Sequence, residues 1–403
     1  MKRGAGSWGR QPVEARVHYS STETAKGGLA QSPTVNARVH SLADVDAAFV
    51  AGWSDLERRA LEPNAFLSPH FVLPAVRRLE PGLQPVILAA RDAEERLVAI
   101  GVFRDRGASL RVPLRHLGAF RSRHSYLSGW LLDRDHAAAA MDAFVALLTR
   151  GGLPWHGMVF PYAPADEGHR LMLEASARAG GRWFEYARRT RATLDVSAAG
   201  EPAIEALSSS RRKTLRRKRR QLEDAGPVEW RLRSGSDLGR CVDRFLSLED
   251  AGWKGQEGGS LLSTAAGEVF FREMIAGLAG EGRAFFTELS VGGTVVSSTC
   301  NLESGHEGFA FKIGWDPEYA AMSVGTLNEI ELMRSAPACL RHLVRLDSGS
   351  EPGSYMDDLW RGRRILVDGF LATTAAGRVA ARAAAVVRGV KRRLSALSAR
   401  SAG

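Results

Sequence analysis

Between Arg211 and Arg220 the chain places eight basic residues in ten positions. A block of that kind is built to meet anions or to stand as a solvated face. The 403 residues carry a net charge of +10. This run and a second basic stretch, GRVAARAAAVVRGVKRRLSALSAR at residues 377–400, account for all of it and leave a mildly acidic remainder. A protein coated evenly for nucleic acid would spread its charge instead. The carboxylates offer proton chemistry. Asp347 follows the apolar run HLVRL and opens the polar, glycine-containing turn DSGSEP. A carboxylate at a strand end can open on a cleft and accept a proton, and it can equally be a turn residue. Asp316, Glu318 and Glu288 are further carboxylates of the same half. The three cysteines, Cys241, Cys300 and Cys339, form no C-x-x-C, and the ten histidines show no H-E-x-x-H. Neither a disulfide framework nor a metal site is expected.

These residues need elements to hold them. Hydrophobic residues make up 44% of the chain, enough for real cores, and no apolar run approaches the ~20 residues that span a bilayer. Residues 1–38 read as a flexible basic leader. Helical spacing begins after Ser41, with Val45, Phe49, Trp53 and Leu56 on one face. A hairpin follows in QPVILAARDAEERLVAIGVFRDRG, then the helix DHAAAAMDAFVALLTRG, the strand HGMVFPYA, the helix EGHRLMLEASARAGG and the strand RWFEYARRTRATLDV. The second half repeats this order: two helices, a hairpin turning at VGGT, the helix SVGTLNEIELMRSA and the strand HLVRLDSG. The reading is a mixed α/β fold made of two copies of one unit. Its parts are residues 39–200, residues 201–371, and a basic Ala/Arg-rich helix or tail at 372–403.

The ordered set RRKTLRRKRRQLEDAG, FLSLEDAGWKGQ, FFTELSVGGTVVSSTCNL, FKIGWDPEYAAMSVGTLNEIELM and VRLDSGSEPGSYMDDLW resembles the acetyltransferases found with bacterial cellulose and exopolysaccharide synthesis. They belong to the GNAT superfamily and are akin to the Fem-type transferases, which pair two GNAT-like domains. The resemblance covers about residues 205–370 and weakens over 40–197. It implies tandem GNAT-like domains, with acetyl-CoA or another acyl-CoA as co-substrate and no metal. It places the pyrophosphate at the start of the helix near Ser323, with Ile313, Ser323, Val324, Gly325 and Thr326 as donor-binding residues. The physical basis is general, because first-turn N–H groups are unpaired and carry the positive end of the helix dipole. Of the superfamily's glycine-rich phosphate pattern, only Gly325 has a counterpart. The alternative reading is an ordinary capped helix with Thr326 and Glu329 forming a capping box. Among the carboxylates, Asp347 is preferred as base because its polar turn directly follows a buried strand, and Tyr319 or Tyr355 can give a proton to the leaving thiolate. GWKGQ resembles the family's substrate-side loop, which puts Trp253 and Lys254 on the acceptor side. Each has a plain structural alternative as a turn, core or loop residue.

The basic run has a narrow apolar seam, Leu215 and Leu222, seven residues apart. It reads as a helix docked by that seam, and its free face suits solvent, an anionic membrane surface or a phosphate-bearing substrate contacted by Arg216. RNA is disfavoured because no aromatics interleave the charges. Three functions compete. The leading one is acyl transfer to an amine or hydroxyl, on a small-molecule or saccharide acceptor in polysaccharide or envelope synthesis. The others are an aminoacyl-tRNA-dependent Fem-like transferase and a silent scaffold of a membrane synthase. The expected location is cytoplasmic, with peripheral contact at the inner face of the membrane as an option.

Overall fold

The computed structural model describes residues 35–109, 112–235 and 238–384, apart from the side chains of Trp253 and Lys254. The first half runs β1 (Asn36–His40), α1 (Ala47–Arg58), α2 (Pro69–Pro74), β2 (Pro85–Arg91), β3 (Leu97–Arg106), β4 (His116–Ala119), β5 (Leu131–Leu132), α3 (Ala137–Thr149), β6 (Gly157–Pro164), α4 (Glu167–Arg178) and β7 (Arg182–Asp195). Two linking helices follow, α5 (Glu201–Glu205) and α6 (Ser209–Glu223). The second half runs β8 (Val228–Ser234), α7 (Gly239–Ala251), α8 (Trp253–Gln256), α9 (Ala265–Gly280), β9 (Ala284–Val291), β10 (Thr294–Ser304), β11 (Glu307–Trp315), α10 (Val324–Cys339), β12 (Arg345–Asp347), α11 (Met356–Leu359) and β13 (Gly362–Ala372).

All the strands join one 13-stranded sheet of order β1-β2-β3-β4-β6-β13-β7-β12-β11-β10-β9-β8, with β5 paired to β3 off this path. The order reads alike from both ends. Each half contributes an antiparallel run, β1 to β4 or β8 to β11, and then one parallel neighbour, β6 or β12. The repeat expected from the element order is thus visible in the pairing pattern. The halves do not close separate sheets, however. Each lends its last strand to the other: β13 pairs with β6, and β7 pairs with β12. β7 and β13 then pair with each other from Gly362–Thr193 to Ala372–Arg182. A boundary at residue 200 therefore cuts the chain but not the sheet.

Helices cover both faces. One face carries α1 and α2 beside α7 and α9, over a core shared by the two halves. Aromatic edges lock that core: Phe66 lies 5.9 Å from Phe309, and Phe71 lies 5.5 Å from Phe270. On the other face each half keeps its own cluster, one around Phe144 on α3 and one around Leu327 and Met333 on α10. Local signals account for the ends. Asp46 accepts from the N–H of Phe49 at the start of α1, and Gly292 and Gly293 supply positive φ in the β9–β10 turn. Leu215 and Leu222 are the buried residues of α6 and dock it on the second-half cluster.

The expected leader ended at residue 38, inside what is strand β1. The five-residue run NARVH is too short and polar to announce itself, and its pairing to β2 decides the structure. The rest of the leader, residues 1–34, and the basic stretch at 385–403 lie outside the described residues. Residues 375–384 are helical, with Ala381 buried against Phe370.

Candidate functional site

The parallel pairing of β11 with β12 lasts three residues, Glu307 to Phe309 opposite Arg345 to Asp347. β11 continues to Trp315 while the chain after β12 turns away. The gap opens into a cavity of about 350 Å³. Ile313, Gly314 and Trp315 of β11 form one wall, and Leu248, Glu249 and Gly252 at the end of α7 form another. Ser323, Val324, Gly325 and Thr326 at the start of α10 form the third, with Tyr355 at the rim.

Several close approaches build these walls. A Cβ at Gly314 would stand 2.5 Å from the backbone nitrogen of Glu249, so only glycine lets β11 and α7 pack this closely. Ser323 is left-handed, with φ 56° and ψ 43°, and sets the angle between the preceding 3₁₀ turn and α10. A non-glycine residue there is strained, as backbone at ligand sites often is. No side chain caps α10. Its first-turn N–H groups, which the helix cannot satisfy, therefore belong to residues lining the cavity. The helix dipole adds a positive partial charge, and an anion fits. The basic helix α6 lies against the same turn, with Lys218 donating to the carbonyl of Ala321.

Buried charges surround the cavity. Glu249 takes Lys312 Nζ at 3.0 Å on one oxygen and the N–H of Leu261 at 2.7 Å on the other. Glu329, one turn into α10 from Thr326, is 4% exposed. Its Oε2 is fully buried without a hydrogen-bond partner among the described residues. Burial pushes the carboxyl up to about 7. The phenol of Tyr355 is pushed up by burial and then by the charge of Glu329.

The structure thus gathers Ile313, Ser323, Val324, Gly325, Thr326 and Tyr355, six of the residues anticipated for the site. It sets others apart. Asp347 is buried between two arginines. Its Oδ2 lies 3.2 Å from Arg364 Nη1, its Oδ1 lies 3.5 Å from Arg191 Nη1, and Oδ1 also accepts from the N–H of Gly349. It does not line the cavity, and a carboxylate held this way acts as an ionic joint between β12, β13 and β7. Tyr319 packs half-buried on the second-half cluster, outside the cavity lining. Arg216 is exposed on α6. The side chains of Trp253 and Lys254 lie outside the described residues, although their backbone begins α8. The capping box does not form, because Ser323 is the N-cap and Glu329 points into the protein. Asp316 caps the 3₁₀ turn through the N–H of Glu318, and Glu288 is held by Arg244 and Arg233.

Gly325, which lines the cavity, also has a packing part. A Cβ there would meet Ile313 Cδ1 at 3.0 Å, so its missing side chain lets α10 approach β11. The sequence reading passed over Glu249 as a site residue and saw Glu329 only as a cap. The signal for both was periodicity: Glu249 is four residues from buried Phe245, and Glu329 is three from buried Leu332. A carboxylate on the apolar face of a helix marks a built environment.

The first half has a smaller and more tightly packed cavity. Trp130 stacks on Phe144 at 4.9 Å and packs on Phe103 at 5.1 Å. About 30 Å³ remains beside Glu62 and His169. Among the described residues, no group of histidine, cysteine and carboxylate side chains could hold a metal ion. None of their helices is long and apolar enough to cross a membrane.

No curated protein sequence matches the chain. Many solved structures match the chain, and three show the likeness of fold. FemX superposes with a TM-score of 0.53 at 9% identity, covering 82% of this chain and 96% of that one. The C-terminal domain of a candidate lysylphosphatidylglycerol synthetase from Agrobacterium fabrum gives 0.51 at 12% identity, over 84% and 96%. A conserved protein of unknown function from Bacteroides thetaiotaomicron gives 0.50 at 11% identity, over 82% and 97%. Residues 209–355 match the family model described as the acetyltransferase (GNAT) domain. That span runs from α6 to Tyr355, contains every residue of the cavity wall, and supports an acyltransferase.

Proposed function

We propose that the second-half cavity binds an acyl-CoA and transfers its acyl group to an amine or hydroxyl. One observation carries the reading. An uncapped helix, α10, begins at the mouth of a cavity opened by the parting of β11 and β12. The pyrophosphate would meet the N–H groups of Val324, Gly325 and Thr326, and the cationic flank of α6 stands beside it. The pantetheine arm would run along the cavity wall formed by Ile313, Gly314 and Trp315, past the point where β12 stops pairing with β11. The acyl group would then reach the cavity rim near Tyr355, whose phenol stays protonated and can supply a proton to the leaving thiolate.

The acceptor belongs to polysaccharide or envelope chemistry in this reading, which rests on the sequence resemblance. A second reading keeps the site and changes the donor to an aminoacyl-tRNA. The exposed basic residues of α6, beside the cavity, favour it. Thermal unfolding with each donor separates them. Acetyl-CoA at 100 times its dissociation constant should stabilise the protein by about 2.7 kcal/mol. Stabilisation by aminoacyl-tRNA without any by acetyl-CoA or longer acyl-CoAs would favour the second reading. No response to any of them would sink both.

A further inference from the structure

The carboxyl of Glu329 is the buried acidic group that the acyl-transfer reading leaves unused. It sits one turn below Thr326, whose residue lines the cavity, and it acts on the phenol of Tyr355 at the cavity rim. Its Oε2 has no hydrogen-bond partner among the described residues. An unsatisfied buried oxygen is costly to keep, and a ligand, a water or a reaction is what such a group serves.

Resting on the acyl-transfer reading, we infer that Glu329 is the proton store of this site: it takes the proton released by the attacking nucleophile and returns it to Tyr355. The bookkeeping closes. The nucleophile's nitrogen or oxygen bonds to the thioester carbonyl carbon, and the carbon–sulfur bond breaks. The nucleophile loses one proton to the Glu329 carboxylate through one water, since Glu329 lies behind the cavity wall. The departing thiolate takes the phenolic proton of Tyr355. Glu329 then gives its proton to the Tyr355 phenolate, and both groups return to their starting forms. The nucleophile's proton ends on the thiol. Glu329 acts through Tyr355 on the leaving group, and in that step it is a positioning residue.

The surroundings suit the role. The elements packed on α10 carry charged groups that are already engaged: Glu288 of β9 with Arg233 of β8 and Arg244 of α7, and Lys312 of β11 with Glu249. On the outer face of α10, Glu331 pairs with Arg219 and Arg334. None of these holds Glu329, and burial alone raises it to about 7, where it can both accept and release a proton near neutral pH.

The test compares the parent with Glu329→Gln. The first readout is the carboxylic-acid infrared band, taken as the parent-minus-variant difference because Glu62 titrates in the same range. The others are coenzyme A binding by calorimetry and thiol release from acetyl-CoA with water and primary amines as nucleophiles. The expected results are a difference band titrating near neutral pH that shifts when coenzyme A binds, and a dissociation constant unchanged within about two-fold. Thiol release should fall about ten-fold or more at pH 8 and lose its acid limb. If coenzyme A binds both proteins alike but the band ignores it, or thiol release is equal, Glu329 has no such role and the acyl-CoA reading stands. If the parent binds no coenzyme A, the acyl-CoA reading fails and takes this inference with it. Should Glu329→Gln not fold, Tyr355→Phe at the 41%-exposed rim replaces it. That variant must bind coenzyme A yet lose turnover together with the neutral-pH limb, and parental turnover would overturn the proposal.

Discussion

Phe309 stands opposite Asp347 in parallel register, and it is the last residue of β11 to pair with β12. The two chains part from there, and everything that makes the cavity follows. Asp347 is held at that branch point by Arg364 and Arg191, which come from the two exchanged strands. The joint therefore ties β12 to both β13 and β7.

The first prediction concerns that joint. Asp347→Asn takes the carboxylate away from buried Arg191, while Arg364 keeps Glu307 and Asp166. Breaking a buried pair by removing one partner costs about 3–5 kcal/mol. Urea unfolding should show a loss of that order, while the folded fraction still binds coenzyme A. A parental unfolding midpoint combined with abolished turnover would restore Asp347 as a catalytic base.

The close approach of β11 to α7 gives a second prediction. Gly314→Ala places a Cβ 2.5 Å from a backbone nitrogen that cannot swing aside. Overpacking of this kind costs about 1–3 kcal/mol and should distort the wall at Glu249. Gly280→Ala is the control: it lies at the end of α9 with nothing within 4 Å, and it should be neutral or stabilising by up to about 1 kcal/mol. Equal melting temperatures for the two variants would contradict the packing argument.

Stability should fall as pH rises through the weakly acidic range. Glu62 and Glu329 both move from 4.5 up to about 7, in each case chiefly by burial. Between those values the folded chain binds protons that the unfolded chain has released, so raising the pH favours unfolding. The loss is complete above about pH 7, and for Glu329 it is on the order of 3 kcal/mol. Denaturant midpoints at pH 5.5 and pH 8 should differ in this direction, and Glu329→Gln should shrink the difference. Greater stability at pH 8 would show that other groups outweigh these two.

Helix α6 separates charges that hold structure from charges that are free to act. Arg219 pairs with Glu223 and Glu331, and Lys218 bonds the turn before α10. Arg216, Arg217 and Arg220 are exposed. Replacing these three with glutamine should weaken sedimentation with anionic vesicles at low salt and leave the melting temperature nearly unchanged. Unchanged vesicle binding would remove the membrane surface as a partner of this helix.

Much of this was legible in the chain. The hairpin turn at Gly292–Gly293, the helix start near Ser323 and the repeated element order all rest on local chemistry, and each stands in the fold. The strand exchange was not legible. Nothing local in β7 or β13 marks the half that receives it, and only long-range pairing decides. The ion pairs of Asp347 were not legible for the same reason. A polar turn after a strand is visible locally, but its arginines lie 17 and 156 residues away.

The central claim is that the start of α10 holds the pyrophosphate of an acyl-CoA. Calorimetric titration of the parent and of Gly325→Val with acetyl-CoA tests it most directly. A valine at 325 crowds the terminal methyl of Ile313 and sets its own side chain in the cavity wall beside the first-turn N–H groups, where it obstructs a phosphate. The parent should bind, and the variant should bind about ten-fold more weakly or worse, a loss of about 1.4 kcal/mol. A parent that fails to bind acetyl-CoA, or a folded variant that binds it equally well, would contradict the account.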